Sequence, residues 1–266
     1  MCDSRKVIWP LAMMISGLLA LTIPTAQAQS QAAPKAEARA WHWRIEPYMM
    51  FPNMNGKTGV QGLMVADVEA DVGDIFSRLQ FGAMLSVDAY TENWAINSDF
   101  LFMNLKQDVT PTTLISSGDV KMKQLGWELA GFRRINPWLE LGIGGLLNSL
   151  EVDLTLNRNQ VGGGTTVMSN TQNKTWYDPM LIARLKTPVS SARFTGQFRA
   201  EIGGFGIGSD LAWQVQAMAG YRFSKLFDLT AGYRVISLDY QSGDGTGAFV
   251  YDMVTFGPMI RFGFNF

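Results

Sequence analysis

The chain has 266 residues, with 22 Lys and Arg against 23 Asp and Glu, 47% hydrophobic side chains, 27 Gly, one Cys and one His. Charged residues make up 17%, well below the roughly 25% of an ordinary soluble domain, and their balance leaves no electrostatic footprint for a nucleic acid. A lone Cys and a lone His exclude an internal disulfide, Cys-built zinc sites and most His-built catalytic centres, so no cofactor, no metal and no catalytic residue are expected.

At the start, Arg5 and Lys6 precede an apolar run from Val7 to Ile23, and Ala26 and Ala28 supply the small residues of a signal-peptidase site. Residues 1–28 are therefore expected to be a cleavable signal peptide that removes Cys2. Residues 29–40, rich in Ala and Gln around Pro34, have no periodic apolar face and are expected to form a flexible leader. One folded domain is expected over residues 41–266.

From Trp41 the dominant period is two. Trp41, Trp43, Ile45, Pro47, Met49 and Phe51 alternate with His42, Arg44, Glu46, Tyr48 and Met50. Weaker alternation runs over 81–90, 94–106, 120–132, 138–150 and 175–186. It is strong again from Arg193 to Ile202, from Leu211 to Phe223 and from Phe227 to Val235. At the end, Val254, Phe256, Pro258, Ile260, Phe262, Phe264 and Phe266 are apolar at every second position. Such runs exceed the five or six residues of a typical soluble strand and reach the roughly ten that a tilted strand needs to cross a bilayer. Beyond the signal no apolar stretch is long enough for a membrane helix, and lipid otherwise tolerates only closed barrels.

The fold class expected is all-β: a transmembrane antiparallel up-and-down barrel of about ten strands, with eight or twelve as alternatives, and one short loop helix. The links at 91–93, 134–137, 188–192 and 224–226 are short and alternate with longer ones at 53–80, 107–119, 157–173 and 241–248, which places the short turns and both chain ends on the periplasmic side. A short link at 203–209 breaks the pattern. Glycines and valines over 56–70 suggest an extra hairpin above the membrane, raising the apparent strand number to twelve. After Leu147 the apolar parity changes to Leu150, Val152 and Leu154, which either a β-bulge or an extension beyond the lipid explains.

With aromatics at alternate positions and Phe as the last residue, Phe262, Phe264 and Phe266 resemble the ending of bacterial outer-membrane β-barrels. Gly73-Asp74-Ile75, the run Gly203–Asp210 and Gly220-Tyr221-Arg222-Phe223 resemble a set of small barrels distantly akin to the OmpA-like membrane domain. The resemblance implies a location in the outer membrane of a Gram-negative cell envelope. It also implies that Phe262, Phe264 and Phe266 signal to the outer-membrane assembly machinery, and it brings no settled activity.

An apolar face toward lipid puts a lumen charge network inside the barrel: Arg44, Glu46, Asp88, Asp99, Glu128, Glu140, Asp178, Arg184, Arg199, Glu201, Arg222, Arg234 and Arg261. Such charges either pair into a structural filling or line a hydrated pore whose opposed signs select small polar solutes. Val72, Ile75, Phe76 and Leu79 lie at helical spacing and make a candidate plug or a simple cover for the mouth. His42 falls in the expected periplasmic aromatic girdle, which suits an interfacial residue better than a catalytic base. The expected function is a non-enzymatic, porin-like narrow channel for small hydrophilic solutes, with a closed structural or surface-interaction barrel as the alternative. The expected partners are outer-membrane lipid, lipopolysaccharide and the assembly machinery; Lys121 and Lys123, at the outer end of a strand, are read as plain solvated charges, with contact to lipid phosphates as the alternative. No nucleic-acid partner is expected, and the barrel is expected to be monomeric or weakly oligomeric.

Overall fold

The computed structural model describes residues 40–60, 66–113, 115–160, 164–188, 193–243 and 248–266. The expected signal peptide with Ala26 and Ala28, and the leader as far as residue 39, lie outside the described residues.

Ten strands close a barrel: β1 (His42–Met50), β4 (Leu79–Tyr90), β5 (Trp94–Asp108), β6 (Ile115–Asn136), β7 (Leu139–Asn159), β8 (Thr165–Lys186), β9 (Phe194–Gly204), β10 (Leu211–Arg222), β11 (Phe227–Ser242) and β12 (Phe249–Asn265). Each pairs antiparallel with its neighbour around the ring, and β1 pairs with both β4 and β12, which closes the sheet on itself. The last residue completes the closure: Phe266 N–H donates to Trp43 O at 2.8 Å and Trp43 N–H to Phe266 O at 3.1 Å.

Two further strands, β2 (Asn53–Val60) and β3 (Ala66–Ala70), form the extra hairpin. β2 continues the column of β1 and pairs with the outer part of β12, from Phe256↔Asn53 to Phe249↔Val60. Pro47, which has no N–H, is the last β1 residue paired with β4, opposite Leu85. Above it the β4 column is interrupted by α1 (Val72–Arg78), which joins the foot of β3 to the top of β4. Asp71 caps the helix by accepting from Asp74 N–H at 2.8 Å, and Arg78 pairs with Asp74 one turn back at 3.2 Å.

The outer face carries the lipid signature. Trp43, Met49, Leu141, Ile143, Leu181, Phe198, Ile202, Phe262 and Phe264 are exposed. At the periplasmic rim Phe194, Tyr221, Phe223, Phe227 and Phe264 form one chain of ring contacts, with centroids 5.1–5.7 Å apart. Trp41, Trp94 and Trp138 stand exposed at the same rim, and Trp127, Tyr177 and Phe81 stand at the opposite one. Gly145 has a particular reason to be glycine: an added Cβ would overlap the Tyr177 hydroxyl, whose ring covers that strand on the lipid side.

Strands β6, β7 and β8 have 22, 21 and 22 residues, about twice what the bilayer needs. The sequence reading of 157–173 as a long loop is thus corrected: most of it is strand, because its Thr, Asn and Gln residues suit a solvated ribbon. The pairing of β7 with β6 and β8 runs past Leu150 without a bulge, so the parity change after Leu147 marks the exit from lipid. Within the membrane Leu141 and Ile143 face outward, whereas Leu150 is buried inside and Val152 packs against the same interior cluster. The ribbon is therefore apolar outside where it meets lipid and apolar inside where it meets water.

Candidate functional site

The lumen has three layers, and the sequence reading anticipated one of them. Nearest the periplasm is a chamber of about 770 Å³, with Arg44, Glu46, Asp88, Arg134, Glu140, Lys186, Arg222 and Arg261 in its wall. It is open below because the turns on that side are short.

The middle layer is a belt of ion pairs and hydrogen bonds to which every barrel strand contributes. Arg184 on β8 donates to Asp88 on β4 and to Glu140 on β7, each at 2.8 Å. Glu140 also receives Arg134 and Lys186, both at 3.0 Å. Arg199 on β9 is paired with Glu128 and Glu201 and donates to Asn97 on β5 at 2.7 Å. Arg234 on β11 meets Asp99 at 3.1 Å, donates to Gln214 at 2.7 Å and reaches Tyr48 on β1 at 3.1 Å, while the Tyr48 hydroxyl donates to Asp99 at 2.7 Å. Gln214 donates to Glu128 at 3.0 Å and joins the two clusters. On β12, Arg261 donates to Gln216 at 3.0 Å and faces Glu46 at 3.7 Å; Arg44 bonds Glu46 at 2.8 Å and Asp228 at 2.7 Å.

Several of these contacts join strands that are not neighbours, such as β8 with β4, β9 with β5 and β11 with β1, so they cross the lumen and do not merely line it. Phe132, wholly buried on the interior face of β6, lies between two of the cations: its ring centre is 4.0 Å from the Arg184 guanidinium carbon and 5.6 Å from that of Arg199.

The outer layer is apolar. Trp176 stacks on Tyr240 with ring centres 4.3 Å apart and touches Phe249 and Tyr251. Met54, Met103, Leu105, Leu150, Leu238 and Met253 complete the cluster. A cavity of only about 50 Å³ separates it from the belt. An apolar lumen along its external half departs from the expectation of a polar face inside throughout. The reason is the same exit from lipid seen in β7: above the bilayer the interior is the only dry place for apolar side chains.

Arg44, Glu46, Asp88, Asp99, Glu128, Glu140, Arg184, Arg199, Glu201, Arg234 and Arg261 lie in the belt, and Arg222 lines the chamber wall below it. Asp178 requires a correction. It is fully buried but meets neutral donors: it accepts from Ser209 N–H at 2.6 Å, from the Ser209 hydroxyl at 2.9 Å and from Asn148 at 3.2 Å. Its role is to hold the short external turn between β9 and β10, where Gly204, Phe205 and Gly206 all have positive φ. Replacing Asp178 with Ala leaves the buried Ser209 N–H unpaired, and the expected result is a loss of about 1–3 kcal/mol in urea unfolding of the lipid-refolded protein.

The helix of the candidate plug sits in the wall and does not lie across the pore. Ile75 is buried in the apolar cluster, Phe76 stacks on Phe51 at 5.5 Å, Val72 is half-buried, and Leu79 belongs to the start of β4. His42 is exposed on the periplasmic rim, opposite Tyr90 in the register. Tyr48, Asn97, Phe132, Gln214, Gln216 and Asp228 belong to the belt but were not selected from the sequence. Strict parity would have found them, since each lies an even number of residues from a selected charge on its own strand or an adjoining paired position.

A closed antiparallel barrel with an even strand number, an aromatic-bounded apolar exterior and a charged interior is the architecture of bacterial outer-membrane β-barrels, and this chain has it. No protein-family model and no curated protein matches the chain. Among solved structures it is similar to the outer membrane protease OmpT from Escherichia coli, at 10% identity over 86% of this chain and 98% of that one, with a TM-score of 0.46. It is also similar to Ail, the attachment invasion locus protein of Yersinia pestis, at 12% identity over 86% and 99% with a TM-score of 0.34. The P. putida toluene transporter TodX matches at 9% identity over 88% and 91%, also with a TM-score of 0.34. Likenesses this distant carry no activity across, and the reading of function rests on the geometry.

Proposed function

We propose that the protein is an outer-membrane barrel that is closed at rest and non-enzymatic, and that it works through the surface it holds above the lipid. The observation that supports this most is the belt of cross-lumen pairs, in which Arg184, Glu128 and Arg199 are at most 3% exposed. A pore for hydrated solutes needs a wet passage, and here guanidinium and carboxylate groups pair across the axis with an apolar layer stacked above them. The displayed surface is the β6–β7–β8 ribbon. Lys121 and Lys123, which the sequence places at the outer end of a strand, are already paired there: Lys123 meets Glu151 at 2.6 Å and Lys121 meets Asp119 at 3.8 Å. The Lys123 ammonium is held above its ordinary pKa by donating to Glu151.

The second reading, a narrow channel, is favoured by the chamber beneath the belt, which gives a solute somewhere to wait. Planar-bilayer recording separates the two. The closed reading expects no discrete current steps from the wild-type protein; steps in its single-channel record would establish the channel reading instead. Partition into the outer-membrane fraction, with a folded band that shifts on heating, is expected under both. The exposed Phe262, Phe264 and Phe266 are the proposed contact for the assembly machinery, so removing Phe266 should reduce insertion in cells while leaving refolding into lipid vesicles largely intact.

A further inference from the structure

Strand β8 has a paired neighbour on both sides only in its lower part. Its pairing with β7 runs from Leu185 up to Thr165 without a register shift, whereas its pairing with β9 covers Met180 to Lys186 alone. The bonds at its two ends tell the sides apart. Lys186 N–H donates to Trp138 O beside β7 and Thr187 N–H to Gly196 O on β9, and at the far end Gly164 O accepts from Gln160 N–H. Even-numbered residues of β8 therefore bond β7, and odd-numbered residues point the other way. Past Pro179, which has no N–H to offer β9, the odd residues Thr165, Val167, Ser169, Thr171 and Asn173 have no described strand to pair with. Natural edges are shielded by shortness, charge or proline. The free edge of β3 follows that practice, with five residues that include Asp67 and Glu69. The β8 edge does not: Thr165 to Asn173 holds no charge and no proline, and it presents Val167 and Met168 at 63% and 53% exposure. Ser169, at its middle, lies about 25 Å along the strand beyond Tyr177 at the outer aromatic rim, above the bilayer.

We propose that this edge pairs antiparallel with the same edge of a second copy held in an opposing outer membrane, so that the protein joins one cell to another. Strand direction selects this occupant. Two copies in one membrane bring up parallel β8 strands, and the two-fold axis between them sets N–H against N–H. Copies in facing membranes present β8 in opposite directions, and a two-fold axis normal to the sheet then satisfies both edges alike, with Thr165 of each toward Asn173 of the other. The β6–β7–β8 ribbons of the two copies become one continuous sheet. No like charges meet along the seam, because the edge has none. An edge this short buries less than the roughly 1,200 Å² of a stable complex, so one pair is weak and adhesion comes from many copies acting between two surfaces. The inference rests on the reading that the barrel acts through its external ribbon. It does not depend on conductance, so current steps in a planar bilayer refute the closed lumen and leave the edge to be judged by its own test.

The test is the settling of Gram-negative cells that display the full chain and lack long surface polysaccharide, with the heat-shifted folded band checked for every variant. Wild-type cells should clump and settle, and cells without the protein should stay dispersed. Ser169→Lys sets like charges on facing edges and should cut the settled fraction about fivefold, as should Ser169→Glu. Mixing those two kinds of cell brings Lys against Glu and should restore joint settling. Ser169→Pro removes an edge N–H without touching a bond to β7, and should also prevent settling. The same two charges placed at Ser117 on β6, two strands from the edge, should leave settling unchanged. Wild-type cells that stay dispersed, Ser169→Lys cells that settle normally, or a mixture that fails to recover would each overturn the proposal.

Discussion

Replacing Arg199 with Met should lower the unfolding free energy of the barrel in lipid by about 3–5 kcal/mol. The side chain is 3% exposed and is paired with Glu128 and Glu201 as well as Asn97. The volume of Met is close enough that no large cavity forms, so the loss comes from the two carboxylates left facing each other in a dry interior. Urea titration of vesicle-refolded protein measures it. The control that isolates charge is the triple variant Arg199→Met, Glu128→Gln, Glu201→Gln, which removes cation and carboxylates together and should recover most of the loss. If the single variant unfolds at the wild-type urea concentration, the belt is wet and exchangeable, and the argument for a closed lumen fails with it.

That belt was legible in the sequence only to the extent that a physical rule extends along the whole strand. Inside the bilayer the rule is strict: lipid requires an apolar residue at every second position, so Leu211 to Phe223 and Val254 to Phe266 declare their faces without any structure. The charges on the opposite parity could therefore be placed inside. Which of them pair could not be read, because Arg184 and Asp88 lie 96 residues apart and meet only through ring closure and strand tilt. Asp178 has the same parity as the belt charges and differs only in height, where a glycine-rich turn and not a cation is its neighbour.

The rule changes where the strands leave the lipid. Leu150 and Trp176 occupy interior positions that would be polar a few residues lower, and Thr165 to Lys174 is as polar as a loop although it is strand. A reader applying the membrane rule throughout places the apolar side chains on the wrong face and ends the strands too soon. The helix shows the same division between local and distant information. The spacing of Val72, Ile75 and Phe76 predicts α1, but its position in the wall depends on Pro47 ending the β1–β4 ladder, a partnership set by chain closure and absent from the local sequence.

Phe132→Ala is the substitution that should open the lumen. Its ring is wholly buried and fills the space between Arg184 and Arg199, the two cations that bind the two halves of the belt. Truncation removes most of a buried phenyl group and should cost about 3–5 kcal/mol. Part of that cost is specific to the cation–ring contacts, each of which is worth about 2 kcal/mol when desolvated. Phe132→Leu keeps most of the volume and loses the contacts, so its smaller deficit measures them, and Phe132→Tyr should lie nearest the wild type if its hydroxyl finds the chamber. The functional consequence follows from where the space appears. A void between two guanidinium groups is polar enough to hold water, and it would lie in the belt that separates the periplasmic chamber from the small cavity beneath Tyr251. Planar-bilayer recordings of Phe132→Ala should therefore show brief, small openings that the wild type lacks, while Phe132→Leu stays silent. Identical records from Ala and Leu would mean that the ring stabilises the barrel without sealing it, and that closure resides in the apolar layer around Trp176.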